Sequence, residues 1–223
     1  MPVLTPEQVA LYHAQGYLLV SGLIPETVSS RAREIFLLWS ESDPRNPQAK
    51  TKEPLPHTPE EEAEVVACYT SAIMEASAQL VGDDLSTFRV PSRPFPLHSY
   101  PVLDEWKPWE AHIDHSIKAD GHKTFPIPFR LASMLFLSDV EEHGGGTLVW
   151  DGSHKKIFAL AETDPAYYED MYVLNQELEK ADIGECVELT PKCGDILFYH
   201  CLCAHSGSMN VRDSIRLAMN AKW

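Results

Sequence analysis

The first third of the chain combines amphipathic stretches with start and stop signals that predict helices. At residues 5–8 (TPEQ), a capping threonine precedes a proline at the first helical position, and a glutamine follows three residues after the cap. This combination is typical of a helix N-terminus. We expect that helix to end at Gly16, and the apolar residues 17–20 (YLLV) to form a short strand. A second helix is predicted at about residues 25–39, and a repeat of the start signal predicts a third at about residues 58–80.

The hydrophobic pattern changes in the remaining two thirds of the chain. From Phe88 onward, Gly, Pro, Asp and Asn separate short apolar or alternating runs, which are TFRV, FPLHSY, AHIDHSI, FRLASMLFL, GTLVW, CVEL, DILFYHCLC and SIRLAMNAKW. Such runs are typical of an all-β sandwich or barrel, interrupted here by one predicted helix at about residues 165–180. The helices are too few to alternate with strands in a parallel α/β sheet. We therefore predict a mainly β protein with flanking helices (α+β), forming a single domain over residues 1–223, with a helical part at 1–85 and a β core at 86–223.

Composition and charge narrow the possible functions. The 223 residues include 18 Lys and Arg against 33 Asp and Glu, a formal net charge of −15. A surface this acidic repels phosphate backbones and anionic lipid, so we expect no nucleic-acid and no membrane partner. The sequence contains no apolar run of about 18 residues, the length that a transmembrane helix needs, and its N-terminus does not resemble a signal peptide. Five cysteines, an odd number, predict reduced thiols and a cytoplasmic location.

The stretch EAHIDHS, residues 110–116, concentrates side chains that bind metals. On a β-strand, residues two apart point to the same face, so His112 and Asp114 aim together while His115 faces the other way. An imidazole and a carboxylate side by side can take two adjacent positions on one metal ion. A third ligand has to come from elsewhere. Taken alone, the pair is equally well explained as two polar residues on an exposed strand face.

A second group of candidates lies in the C-terminal stretch GDILFYHCLCAHSGSMNVRDSIRLAMN. His205 ends a strongly apolar strand, and Arg216 follows in the next strand between Ile215 and Leu217. Burying an arginine there is costly unless a carboxylate meets its planar guanidinium. No acid within that strand is an obvious partner. The alternative is an arginine in a salt bridge at the rim of the sheet.

Taken together, His112-Ile113-Asp114, His205 and Arg216 resemble the Fe(II)/2-oxoglutarate-dependent dioxygenases, and more narrowly their phytanoyl-CoA dioxygenase branch. The segment LFLSDVEEHGGGTLVWDGSHKK is similar to that branch's strand, acidic turn and Gly-Ser-His ending. The segment GDILFYHCLCAHSGSMN is similar to its Gly-Asp, Phe-x-His and His-Ser-Gly run. The resemblance covers about residues 96–222, and the N-terminal helices match only in general layout.

The resemblance implies a double-stranded β-helix, the jelly-roll core of cupin-like proteins, with the N-terminal helices packed on one sheet. His112, Asp114 and His205 match the facial triad that holds Fe(II), and Arg216 matches the residue that pairs with the distal carboxylate of 2-oxoglutarate. With O2 as co-substrate, the implied reaction yields succinate and CO2 and oxidises an aliphatic C–H bond of a small molecule, most simply by hydroxylation. Halogenating relatives carry a small residue in place of the carboxylate, so Asp114 favours hydroxylation or a related oxidation.

Several further residues near these motifs receive weaker assignments. Tyr100 and Thr147 are candidates for contacts to 2-oxoglutarate through their hydroxyls, with structural packing as the alternative. Trp109 could line the pocket, but a place in the core is the interpretation we favour. His200 and His154 are expected to have structural roles and not to be metal ligands.

Departures from the family pattern concern the substrate more than the metal. Ile113, Met134 and Asp151 stand where many relatives have glutamine, tryptophan and proline. Lids over the site are expected from residues 115–128 and from the helix near 165–180, because loops of this kind cover jelly-roll active sites.

The substrate class and two rival functions remain open at this point. A CoA thioester is not expected, since its phosphates would need a basic cluster and none is evident beyond residues 154–156 (HKK). One rival is a cupin-like metalloenzyme that does not use 2-oxoglutarate, because three N/O ligands suit zinc as well as iron. The other is a non-catalytic binding or sensor protein on the same fold. Arg216 argues against the first, and the intact set of four residues argues against the second. The sequence does not indicate an oligomeric state.

Overall fold

A computed structural model describes most of the chain, namely residues 2–51, 53, 56–114, 123 and 130–223. His115 and most of the predicted lid at residues 115–128 lie outside these ranges.

Four helices form the N-terminal part: α1 (Pro6–Gln15), α2 (Glu26–Ser40), α3 (Pro59–Val66) and α4 (Ser71–Val81). At the start of α1, the hydroxyl of Thr5 accepts the backbone N–H of Gln8, and the side chain of Gln8 accepts that of Thr5. The helix ends at Gly16, which adopts the left-handed conformation with φ 88°. The predicted start and end of this helix are therefore confirmed.

The prediction of one continuous third helix was wrong, because the chain breaks it into α3 and α4. Thr70 has an extended backbone (φ −65°, ψ 165°) and caps α4. Its Oγ1 accepts the N–H of Ile73 and donates to the carbonyl of Leu23. This side chain thus starts a new helix and ties it to the loop after the first strand.

Within the described part of the chain, seven strands build two antiparallel sheets: β1 (Tyr17–Val20), β2 (Ala132–Phe136), β3 (Leu148–Trp150), β4 (Cys186–Glu188), β5 (Ile196–Tyr199), β6 (His205–Ser206) and β7 (Ala218–Lys222). One sheet has the order β1-β5-β2-β7 and the other β4-β3-β6. Every pairing between these strands is antiparallel. Apart from β1, the strands follow the four N-terminal helices in the chain, which is the α+β arrangement that the sequence predicts.

Strand β5 shows how the larger sheet divides the molecule. Ile196 and Phe198 pack with buried residues of the four N-terminal helices, whereas Leu197 and Tyr199 belong to the hydrophobic cluster on the opposite face. Successive side chains of a strand point to opposite faces, so this alternation places the helices on one face only. The other face turns toward β3. The shared cluster of helices and sheet supports the single domain that we predict.

Two elements of the C-terminal part differ from the prediction. Helix α5 (Ser153–Thr163) was not predicted; its cap, Gly152, makes no side-chain capping bond, so the sequence carries no start signal there. The helix predicted at 165–180 is a short helix, α6 (Met171–Gln176), with a 3-10 turn on either side, at Tyr167–Glu169 and Leu178–Ala181.

Some predicted strands are less regular than expected. The run at 87–90 begins in the last residue of a 3-10 turn (Leu85–Thr87) and is not a strand. Residues 95–100 and the described part of 111–117 form isolated bridges, at Pro96, Ser99 and His112. Across the described residues, none of the helices is both long and apolar enough to cross a bilayer.

Candidate metal centre

The fold brings together the three predicted metal ligands. His112, Asp114 and His205 each offer one ligand atom, and these atoms all lie within 4.8 Å of one another. The two histidines are 93 positions apart in the chain but face each other across a backbone bridge. The N–H of each donates to the carbonyl of the other at 2.9 Å. Backbone pairing between β6, which carries His205, and the segment that carries His112 and Asp114 therefore brings the third ligand to the first two.

The orientation of His205 is set by its own backbone. Its Nδ1 lies 3.0 Å from the carbonyl oxygen of Cys203. A carbonyl can only accept, so Nδ1 carries the proton and Nε2 is the nitrogen that can bind a metal. Nε2 lies 3.8 Å from Oδ1 of Asp114. The tautomer that ligation requires is thus already selected.

The segment that carries the other two ligands is held by helix α6. The side chain of Asn175 accepts the N–H of Ile113 at 2.7 Å and donates to its carbonyl at 3.1 Å. Ile113 itself is buried, with 1% of its surface exposed. One amide thus fixes both backbone groups of the residue between His112 and Asp114. No local sequence pattern indicates this contact, which joins residues 62 positions apart.

The carboxylate of Asp114 is held on both oxygens. The hydroxyl of Tyr199 donates to Oδ2 at 2.9 Å, and Nζ of Lys222 lies 3.1 Å from Oδ1. Burial of the carboxyl opposes ionisation, but the positive and donor groups around it outweigh burial. His205, Lys222 and Tyr199 together hold the pKa of this carboxyl below its ordinary value. Asp114 is therefore an anion, the form that binds a cation.

Arg216 is buried, and none of the described residues offers it a carboxylate partner. It is 6% exposed, and its Nη1 donates to the carbonyl of Leu97 at 3.1 Å, while Nε has no partner. Burial alone lowers the pKa of this guanidinium to about 10. Within the part of the chain that the structure describes, it makes no ion pair, so the alternative of a salt bridge at the rim is wrong. A buried guanidinium without an acidic partner can bind an anionic ligand, which would compensate its charge.

The triad and Arg216 line one cavity of about 1140 Å3. Met134 and Thr147 line it as well, and Thr147 is buried.

Tyr100 is not among the lining residues; its hydroxyl donates to a carboxylate oxygen of Asp43 at 2.7 Å. The position of Tyr100 therefore does not support the predicted contact between its hydroxyl and 2-oxoglutarate. Trp109 lines the cavity and is 56% exposed, so its placement in the core was wrong.

The two other histidines singled out in the sequence lie away from this cavity. Nδ1 of His200 accepts the N–H of Leu202 at 3.1 Å, and its ring lies 5.2 Å from that of His154. His154 is buried where α5 begins, against Gly16. Both have the structural roles that the sequence predicts.

The structure corrects the expectation that the chain has no basic cluster outside residues 154–156. Four arginines that are scattered in the sequence line the cavity together: Arg45, Arg89, Arg93 and Arg130. The expected lack of a basic cluster was therefore wrong, and it no longer argues against a CoA thioester. Only the fold brings these residues together, since no two of them belong to one regular element.

The donor set fits the metal and co-substrate that the resemblance implies. Two imidazole nitrogens and one carboxylate oxygen on one wall form the set typical of non-haem Fe(II). Beyond the metal ligands, the buried guanidinium of Arg216 supplies the cation that a dicarboxylate needs. The fit thus rests on residues of this chain: a preset histidine tautomer, an ionised carboxylate and an unpaired guanidinium.

Solved structures support the fold. The chain is similar to SnoK, a non-heme alpha ketoglutarate dependent carbocyclase from nogalamycin biosynthesis, with a TM-score of 0.65 and 18% identity over 98% of this chain and 83% of that one. It is similar to EctD from S. alaskensis with bound Fe, with a TM-score of 0.64 and 14% identity over 98% and 75%. HygX from Streptomyces hygroscopicus, with nickel and 2-oxoglutarate bound, gives a TM-score of 0.61 and 15% identity over 97% and 85%. The predicted jelly-roll class is confirmed.

Sequence comparison settles the family. None of the curated proteins matches the chain in sequence. The family model for phytanoyl-CoA dioxygenase (PhyH), by contrast, matches residues 12–218, which is most of the chain. The predicted enzyme class, an oxidoreductase that depends on iron and 2-oxoglutarate, is confirmed. The chain belongs to the phytanoyl-CoA dioxygenase family.

Proposed function

We propose that this chain hydroxylates an aliphatic C–H bond of a small organic substrate in a reaction that uses Fe(II), 2-oxoglutarate and O2 and releases succinate and CO2. The observation that carries the proposal is the buried guanidinium of Arg216, which has no carboxylate partner among the described residues and lines the same cavity as the triad. A buried unpaired cation destabilises the folded protein unless a ligand compensates it. A dicarboxylate whose other end reaches the metal would do so.

The residues of the site would divide the work between binding and orientation. His112, Asp114 and His205 would hold the ion from one side and leave its other side to the co-substrate and O2. The bound iron supplies the oxidation chemistry, with decarboxylation of 2-oxoglutarate as its driving reaction. Because Asp114 fills the position that halogenating relatives leave open, the donor set favours hydroxylation over halogenation.

Thr147 is the better of the two predicted hydroxyl contacts to 2-oxoglutarate. Its side chain lies in the cavity wall and is 3% exposed. The hydroxyl of Tyr100 is engaged by Asp43 instead. We expect Thr147→Val to raise the concentration of 2-oxoglutarate needed for half-saturation several-fold and Tyr100→Phe to leave it unchanged.

A small-molecule substrate and a cytoplasmic location complete the proposal. Structural neighbours have been crystallised with small molecules: the epimerase SnoN with nogalamycin RO, and EctD with 5-hydroxyectoine. All five cysteines of this chain are free thiols. Free thiols in every position support a reducing compartment.

The proposal is tested by anaerobic addition of Fe(II) and 2-oxoglutarate, which should produce a charge-transfer band in the visible region. His205→Ala should abolish the band. Arg216→Met should raise the concentration of 2-oxoglutarate needed for half of the band about 100-fold, because it removes charged hydrogen bonds worth about 1.5–3 kcal/mol each. Arg212→Met, an exposed arginine outside the cavity, is the matched control and should behave like the unmodified chain.

The same experiment separates the rival functions. An enzyme of this fold that does not use 2-oxoglutarate would bind metal without the band, and Arg216→Met would then change nothing. A binding or sensor protein would give the band but no succinate once O2 is admitted. Succinate formation that depends on both His205 and Arg216 would exclude both rivals and leave an enzyme that uses iron and 2-oxoglutarate.

A further inference from the structure

The cavity has the opposite charge balance to the chain as a whole. The chain carries 33 acidic and 18 basic side chains. Among the described residues that line the cavity, six are Lys or Arg, whereas Asp114, the metal ligand, is the only acid. A cleft lined by one sign of charge concentrates ligands of the opposite sign. The six basic residues are Arg45, Arg89, Arg93, Arg130, Arg216 and Lys222.

Four of these six cations already have an assignment. Arg216 and Lys222 belong to the metal and co-substrate site. Arg45 pairs with Asp43 at 2.7 Å. Arg130 pairs with Asp83. These pairs neutralise much of the charge of their arginines, so they contribute less to binding a second anion.

Arg89 and Arg93 are different, because neither has an acidic partner among the described residues. Both are exposed, and both lie in an irregular segment that is held at several points. Phe88 and Pro94 are buried on either side of it. The carbonyl of Arg89 also accepts the indole N–H of Trp223 at 2.8 Å. The two guanidinium groups therefore project from an anchored backbone on the open side of the cavity.

Exposed apolar side chains line the same cavity. Val90 is 49% exposed, Phe95 is 62% exposed and Trp109 is more than half exposed. All three belong to the cavity wall. A volume of about 1140 Å3 exceeds the needs of 2-oxoglutarate alone, since about 300–1,000 Å3 holds a drug-sized ligand. The cavity therefore offers an apolar surface next to two unpaired guanidinium groups.

We propose that the substrate is an amphipathic organic anion, whose carboxylate or phosphate group binds Arg89 and Arg93 while its apolar part lies against Val90, Phe95 and Trp109. Guanidinium groups match either anion through paired hydrogen bonds. The inference rests on the proposed function, because it names the substrate class of that same site. It also makes Arg89 and Arg93 specificity-determining residues of the cavity.

The test compares three probes of equal chain length: octanoate, octyl phosphate and octanol. Each is titrated calorimetrically into the full chain loaded anaerobically with Fe(II) and 2-oxoglutarate, and into the metal-free chain. We expect at least one anionic probe to bind about tenfold more tightly than octanol, the size of one charge-assisted hydrogen bond. The tighter of the two anionic probes identifies the anion. In the Arg89→Gln/Arg93→Gln double variant, the anionic probes should bind no better than octanol.

Arg33→Gln is the matched control, since Arg33 is also exposed but does not line the cavity, and it should keep the preference. Equal binding of octanol, no binding of either anionic probe, or a preference that survives in the double variant would overturn the proposal. The charge-transfer band keeps the two proposals apart. The double variant should retain the band, whereas a chain that gives no band but still prefers anions would refute the proposed reaction and not the anion site.

Discussion

The phenol of Tyr199 donates a 2.9 Å hydrogen bond to Oδ2 of Asp114, and the phenol oxygen in turn accepts a 2.8 Å bond from the side-chain amide of Asn220. These two hydrogen bonds in series fix the rotamer of Asp114, the only acid among the three predicted metal ligands. We predict that Tyr199→Phe lowers the affinity for Fe(II) about tenfold or more, the usual effect of losing a hydrogen bond to a ligand. Anaerobic metal titration measures it. Tyr12→Phe is the control, since that buried hydroxyl has no hydrogen-bond partner among the residues that the structure describes and does not line the cavity. Equal affinity in both variants would contradict the role of Tyr199.

The clamp of Asn175 on the backbone of Ile113 gives a second prediction. Asn175→Ala removes two hydrogen bonds of 2.7 and 3.1 Å and leaves the ligand segment held from one side only. We expect metal affinity to fall several-fold and the free energy of unfolding to fall by about 1–3 kcal/mol. Gln176→Ala, at the neighbouring exposed position, should change neither. A loss of stability with unchanged metal affinity would show that α6 supports the fold but does not position the ligands.

Two glycines with similar positive φ angles allow backbone strain and steric collision to be separated. Gly16 and Gly22 have φ of 88° and 80°. A Cβ at Gly16 would lie 2.3 Å from Nδ1 of His154, whereas one at Gly22 would meet nothing within 4 Å. Gly22→Ala should therefore cost about 1 kcal/mol of unfolding free energy, from left-handed backbone alone. We expect Gly16→Ala to cost clearly more, because His154 has to move as well. Urea unfolding of both variants checks this, and equal costs would mean that His154 adapts freely.

The sequence predicts the ligands of the metal centre better than their surroundings. His112 and Asp114 are detectable because residues two apart on an extended segment share a face, and Arg216 because a cation between apolar neighbours needs an anion. The resemblance then supplied His205. All four line one cavity. Apart from His205, these residues are detectable from local features, namely their spacing or the identity of their immediate neighbours.

The supporting contacts depend on packing between segments that are distant in sequence. Asn175 meets Ile113 across 62 positions. Arg89 and Arg93 lie in a segment without regular structure, where no periodicity shows which way a side chain points. Their cluster with Arg45 and Arg130 was therefore missed, and the overall charge of −15 concealed it. The helices show the same dependence on local signals. Helix α1 was correctly bounded because its capping residues and Gly16 are visible in the sequence, whereas α5 was missed because no capping side chain marks its start after Gly152.

Burial of His200 predicts how stability depends on pH. Its Nδ1 already accepts the N–H of Leu202 at 3.1 Å, and burial, together with the nearby His154 and His13, lowers the pKa of the ring to about 4. In the unfolded chain, a histidine has a pKa of about 6.5. The folded value is the lower one, so below pH 6.5 the unfolded state takes up a proton that the folded state does not. Stability is therefore lost as the pH falls from about 6.5 to about 4.

The contribution of His200 can be isolated with His200→Asn, whose side-chain oxygen can still accept the N–H of Leu202. At pH 5, one such histidine costs about 2 kcal/mol, from about 1.5 pH units at about 1.36 kcal/mol each. Carboxylates contribute little above pH 5, because their unfolded pKa values lie near 4. The free energy of unfolding, from urea titrations at pH 7 and pH 5, should fall by about 2 kcal/mol less in His200→Asn than in the unmodified chain. Identical decreases would mean that His200 is protonated in the folded protein at pH 5, and that burial does not keep its ring neutral.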